Sequence, residues 1–365
     1  MANDIGFNKN SRIQTLRGIA ALSVVVDHTL TQFNIYYHLE GITGGILRNL
    51  QGIGTIGVYV FFIVSGYIMS LTTFNKTWDK KASSIFLKKR IIRIYPIYWF
   101  WLTLLLVAWF AGLALKQHHY SFEKILSSYL LLPYSDEAPS KINPVLGQGW
   151  TLIYEMFFYI FFSILILTNI PKRKVLIVSF LFFSLIIALG KGSITGIPYI
   201  DFFISSKLFY FFVFGIFIYN YRDKIINLFS SVMSVYLSVL ICSLLFFVIA
   251  LGVVPEEFSK VAMVFFAIIF FLVWFSKGSC NKYLVILGDS SYSLYLCHTF
   301  IVMGFGVVCK KFDLSMMILS IIGVLTIILS VIVGLFSYFL LEKKLHAIFI
   351  QKKTASNNAF LKGLF

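Results

Sequence analysis

The chain has 365 residues, 59% of them hydrophobic and 18% aromatic, with only 13% charged. A soluble domain carries about a quarter charged residues, so a water-soluble globular class is excluded. The formal net charge is +16, but the basic residues are scattered among short connectors rather than gathered on one face, which excludes a nucleic-acid partner. Membrane lipids with anionic headgroups account for such a charge instead.

Apolar stretches near the length that crosses a bilayer recur along the whole chain. They predict ten spans, at about 13–35, 53–73, 94–115, 148–168, 174–190, 201–220, 231–251, 259–276, 288–309 and 316–341. The expected fold is an all-α polytopic membrane bundle. With the N-terminus placed inside, 22 of the 31 Lys and Arg fall in cytoplasmic segments. The positive-inside rule then puts both termini in the cytoplasm. The domain reading is a tail over 1–12, one membrane domain over 13–341 and a second tail over 342–365. The first segment shows no cleavage site and is expected to stay as an anchor.

That first segment, RGIAALSVVVDHTLTQF, carries Arg17 and His28 eleven residues apart. Eleven residues is about three turns, or roughly 16 Å, so both side chains share a helix face. Arg17 falls at the membrane edge and His28 near the bilayer middle. An ionisable group at that depth costs on the order of 3 kcal/mol, so it needs a task or a partner. The plain alternatives are a basic anchor for Arg17 and an interhelical hydrogen bond for His28. Asp27 points about 100° away from His28 and is left to pair with another helix or to cap a polar cavity.

In GVYVFFIVSGYIMS, Gly57, Ser65 and Gly66 are small enough for close helix approach. In KKRIIRIYPIYWFW, Arg90 and Arg93 share a face and form a fork suited to phosphate or pyrophosphate; a basic collar on lipid headgroups is the alternative. Pro96, one turn on, reads as part of a helix start. Residues 116–147 hold Pro133, Pro139, Pro144 and the apolar piece ILSSYLLL, either a surface helix or a re-entrant turn.

Glu155, in GWTLIYEMFFYIFF, lies about two turns deep with no Lys or Arg nearby in sequence. A carboxylate there needs a cation, a histidine or a proton. His298, in LGDSSYSLYLCHTF, has a depth that roughly matches His28. Together His28, Glu155 and His298 are expected at one level, with Arg17, Arg90 and Arg93 on the cytoplasmic side below. Cys242, Cys280, Cys297 and Cys309 show no metal spacing, so neither a metal nor a disulfide is expected.

Taken in order, these motifs resemble the acyltransferase 3 family of integral-membrane acyltransferases, from about Arg12 to Glu342. The matching blocks are Arg17 with His28, GVYVFFIVSGY, Arg90 and Arg93 followed by Pro96, Trp150-Thr151-Leu152 with Glu155 and Phe158-Tyr159, and SYSLYLCH. Tyr59 stands where an Asp is often seen, Thr151 where Ser is usual, and Met156 where many members have a second acid. The resemblance implies ten spans with cytoplasmic termini in a bacterial inner membrane. It also implies transfer of an acyl group, acetyl by default, from cytoplasmic acyl-CoA to a hydroxyl of a lipid-linked or surface glycan such as O-antigen. In that reading Arg17, Arg90 and Arg93 hold the donor, and His28 is the base or a transient acyl carrier. Glu155 or His298 orients it. The rival is a secondary transporter using His and Glu as a proton relay; against it, the sequence shows no internal repeat and no pair of broken helices.

Overall fold

In the computed structural model every regular element among the described residues is helical. The structure describes residues 2–36, 45, 46, 49, 50, 52–113, 115, 118–136, 141–229, 231–251, 256–278, 280–312 and 314–348, with the side chains of 2–10, 256 and 257 left aside. Most of the Gly-rich connector, Pro139 and the end of the C-terminal tail lie outside them.

Nine described helical stretches are long and apolar enough to cross a membrane, and the chain is an all-α, polytopic membrane protein. The remaining expected span, 13–35, lies in α1 (Ala2–Tyr36), one continuous helix. Gln14, Arg17, Asp27, His28 and Gln32 make it the more polar exception. Contacts divide the chain into two compact units, residues 1–68 with 214–337 and residues 69–213 with 338–365.

In the first unit α1 is the hub. It packs against α12 (Lys282–Asp289), α13 (Ser291–Lys311) and α14 (Met316–Ser337), and touches α11 (Glu256–Lys277). Glycines permit this closeness. A Cβ built on Gly18 would sit 2.9 Å from the Gly288 nitrogen, and one on Gly57 of α2 (Ile53–Thr73) would sit 2.5 Å from the Ala20 carbonyl oxygen. The small-residue contact read from GVYVFFIVSGY is therefore real at Gly57. Gly66 sits at another such crossing, where a Cβ on Gly215 of α8 (Phe209–Asn220) would lie 2.9 Å from the Gly66 Cα. Asp27 accepts a hydrogen bond from the Gly52 backbone N–H just before α2. A carboxylate is favourable there, against orphan donors and the positive end of the helix dipole. Arg12 donates to the Ser276 carbonyl at 2.6 Å, which satisfies the C-terminal end of α11.

The second unit is built on α3 (Lys80–Phe110), α5 (Gly149–Leu167) and α6 (Val175–Lys191). Asp79 starts α3 by accepting from the Ala82 N–H at 2.6 Å, so the helix begins well before the expected 94. Pro96 consequently lies inside the helix rather than at its start. There it has no N–H to offer the carbonyl one turn back.

The 116–147 segment contains α4 (Phe122–Leu130), capped at its start by Ser121 and ended by Leu131 at φ 53°. Its last carbonyls, at the end where the helix ladder runs out, accept from one stripe of α3. Tyr98 donates to Ser128 at 2.9 Å, Trp99 to Tyr129 at 2.9 Å and Tyr95 to Leu130 at 3.0 Å. Those donors stand about 16–22 Å short of Phe110 along α3. The segment therefore runs back beside the helix, as a re-entrant turn does, and its terminal carbonyls are satisfied as lipid requires. Lys124, nearly fully buried, pairs with Asp136 at 2.8 Å.

The expected 201–220 span is interrupted. α7 (Pro198–Ile204) stops and α8 starts at Phe209, because Ser205 bonds back to the Phe202 carbonyl and Ser206 accepts from the Leu208 N–H. Such local bonds compete with the helix ladder. The expected 288–309 span likewise begins at Ser291, after a break at Ser290 that separates it from α12. The reading of unbroken spans is corrected at these two places.

Candidate active site

Two clusters gather the sequence-selected residues, one in each unit. In the first unit α1 and α13 bring His28 and His298 together, their ring centroids 5.1 Å apart and edge-to-face. Apolar clusters lie before and after the pair along the two helices. Ala21, Val25 and Leu294 pack together in one, and Phe33, Phe305 and Leu319 in the other. His298 is fully buried, while His28 is half-buried.

His298 Nδ1 lies 3.1 Å from the Leu294 carbonyl oxygen. A carbonyl only accepts, so that contact places the proton on Nδ1 and leaves Nε2 as a lone pair. Nε2 has no hydrogen-bond partner although it is buried. A buried polar atom without a partner costs about 1–3 kcal/mol, and a proton-bearing ligand group beside it would relieve that cost. Tyr295 flanks the pair, its ring 6.0 Å from that of His298. Arg17, buried on the same helix, donates to Gln14 at 2.7 Å.

In the second unit α3 and α5 run antiparallel. Ser83 bonds Ser163 at 2.8 Å, and Gly149 lies against Tyr98. This register carries Arg90 over the faces of Phe86 and Tyr159, 5.4 and 5.5 Å from the ring centroids. Tyr159 donates a short hydrogen bond to Glu155 one turn away. Arg90 feels the charges of both Arg93 and Glu155. Glu155 therefore lies within electrostatic reach of a cation on a helix that sequence proximity did not suggest.

Arg90 and Arg93 line an open cavity of about 890 Å³, together with Lys76, Lys81, Lys88 and Lys89. That volume lies in the range of ligand sites, roughly 300–1,000 Å³. Arg90 is poorly satisfied within the protein. Its Nη2 makes one long bond of 3.4 Å to Thr72, and its Nε is buried with no partner. A guanidinium with free donors beside four lysines can take phosphate oxygens in pairs. The lysine rim escaped the motif reading. Its signal was the charge run around KKASS and KKR, which reads equally as a headgroup collar.

Comparison with known proteins decides the family. A family profile described as an acyltransferase domain, acyltransferase 3, matches residues 10–335. The chain belongs to the acyltransferase 3 family. It is 29% identical over 302 residues to the exopolysaccharide production protein ExoZ of Rhizobium meliloti (strain 1021), covering 80% of this chain and 90% of that one. It is also 28% identical over 194 residues to the O-acetyl transferase of Shigella phage Sf6, covering 51% of this chain and 54% of that one. No solved structure matches. Both clusters lie within the residues the family profile covers. The protein is a multi-pass membrane acyltransferase, and an acyl donor is implied by the family.

Proposed function

We propose that this protein moves an acyl group, acetyl by default, from cytoplasmic acyl-CoA to a hydroxyl of a bacterial surface glycan, an exopolysaccharide or O-antigen, from a place in the inner membrane with both termini cytoplasmic. The observation that carries the donor assignment is the basic cavity around Arg90, whose guanidinium has donors to spare. CoA brings a pyrophosphate and a 3′-phosphate, and the cavity supplies two guanidiniums and four lysines. The glycan acceptor rests on the names of the two relatives.

The histidine pair supplies the base. His28, the more accessible ring, takes the proton from the acceptor hydroxyl. The alkoxide oxygen attacks the thioester carbonyl, the carbon–sulfur bond breaks and the CoA sulfur leaves, gaining a proton. His298, with its tautomer set by Leu294, holds the neighbouring ring in place. Arg17, three turns along α1 from His28, adds positive charge on the same helix as the base.

The test is acetyl-CoA binding to purified protein in nanodiscs. A charge-assisted hydrogen bond contributes about 1.5–3 kcal/mol, so Arg90→Ala and Arg93→Ala should each weaken binding by about tenfold or more. Acetyl-pantetheine, which lacks the phosphates, should bind both variants and wild type alike. Unchanged acetyl-CoA affinity in both variants would remove the phosphate-fork assignment.

A further inference from the structure

Tyr159 touches both the candidate donor arginine and the buried acid. Its hydroxyl donates to Glu155 while its ring faces Arg90, and the residue itself is almost entirely buried. Phe86 meets the Tyr159 ring at a right angle, centroids 6.3 Å apart, which fixes the plane of the ring. A carboxylate close to a guanidinium ordinarily closes onto it in a bidentate pair, and that pair uses the very donors a phosphate would need. Here Glu155 lies within electrostatic reach of Arg90, yet among the described residues Arg90 hydrogen-bonds Thr72 alone and keeps its Nε without a partner.

We propose that Tyr159 is a positioning residue for the donor site: its hydroxyl pins Glu155 and its ring fills the space between, so that the Arg90 fork stays open for an anionic ligand. The inference rests on the reading of the Arg90 cavity as the donor site. Glu155 keeps the buried cluster from carrying two uncompensated positive charges, and Tyr159 keeps that counter-charge from closing the fork. Removing the hydroxyl without the ring takes away this restraint, and Glu155 can then swing toward Arg90, where it competes with phosphate.

Acetyl-CoA binding by four full-length proteins in nanodiscs tests this. Tyr159→Phe should bind acetyl-CoA about tenfold more weakly than wild type, because an internal carboxylate now occupies the fork. Tyr159→Phe combined with Glu155→Gln should recover near wild-type affinity, since a neutral amide does not compete. Glu155→Gln alone should bind at least as tightly as wild type. Wild-type affinity in Tyr159→Phe overturns the proposal, and so does weakened binding that the double variant fails to restore. A marked loss in Glu155→Gln alone also overturns it, because the carboxylate would then be supporting the arginines, and this arm holds even if Tyr159→Phe folds poorly. Failure of the donor reading looks different: Arg90→Ala would bind acetyl-CoA as wild type does, whatever Tyr159 variants do.

Discussion

Replacing His28 with alanine should lower acyl transfer by about 10²–10⁴-fold, the contribution of a positioned general base, while leaving acetyl-CoA binding close to wild type. The separation of the two effects follows from where the groups sit. The histidines lie on α1 and α13 in the first unit, and the arginine cavity belongs wholly to the second. Removing the imidazole leaves a gap beside the edge of His298, with apolar clusters before and after it along the helices, built from Ala21, Val25 and Leu294 and from Phe33, Phe305 and Leu319. Those clusters do not depend on His28, so the variant should fold. His298→Ala should also impair transfer, because the lone pair on its Nε2 is held in place by the Nδ1 contact with Leu294. Turnover is the deciding measurement, made at matched amounts of protein in the membrane. Wild-type transfer by His28→Ala would remove the base assignment and leave the pair as interhelical packing.

The histidine pair was legible because helix periodicity is a strong signal. Both rings sit in regular helices, and depth counted in residues translates directly into position. Nine of the ten expected spans came through among the described residues for the same reason, as long apolar runs have few alternatives in a bilayer. The failures came where a short polar side chain competes with the helix ladder. Ser205 and Ser206 break the expected 201–220 span, and a break at Ser290 shifts the start of α13. Asp79 moved the start of α3 back by fourteen residues relative to the apolar run, because a helix begins where its first N–H groups are capped. That shift placed Pro96 inside the helix.

Glu155 shows a different limit. Its bond to Tyr159 was available from the spacing of four, but its neighbour Arg90 was not. The approach of α3 and α5 is decided by packing, through Ser83 against Ser163 and Gly149 against Tyr98. Nothing in the local sequence of either helix encodes that register. The 116–147 segment was ambiguous for a related reason. Whether it lies on the surface or runs back along α3 depends on Tyr95, Tyr98 and Trp99 meeting the end of α4. These aromatics look in sequence like any interfacial belt.

Gly288→Ala should cost more stability than any other single-methyl addition along α12 and α13. A Cβ there would overlap the carbonyl of Gln14 on α1, with the Gln14 Cα only 2.9 Å away. The obstruction is backbone on both sides, so no rotamer change relieves it, and one helix must move away from the other. Overpacking of this kind costs about 1–3 kcal/mol and sometimes more. The opposing residue is Gly18, whose own Cβ would lie 2.9 Å from the Gly288 nitrogen, so the contact has no slack from either side. Moving α1 away from α12 would also displace Arg17 and, three turns on, His28. Activity should therefore fall along with stability. Gly304→Ala is the control, on α13 itself, where an added methyl meets nothing within 4 Å and replaces a poor helix former by the best one. Thermal unfolding in detergent should show Gly288→Ala well below wild type and Gly304→Ala at or above it. Equal midpoints for the two variants would mean that α1 and α12 are not pressed together at this crossing, and the positioning of His28 would need another support.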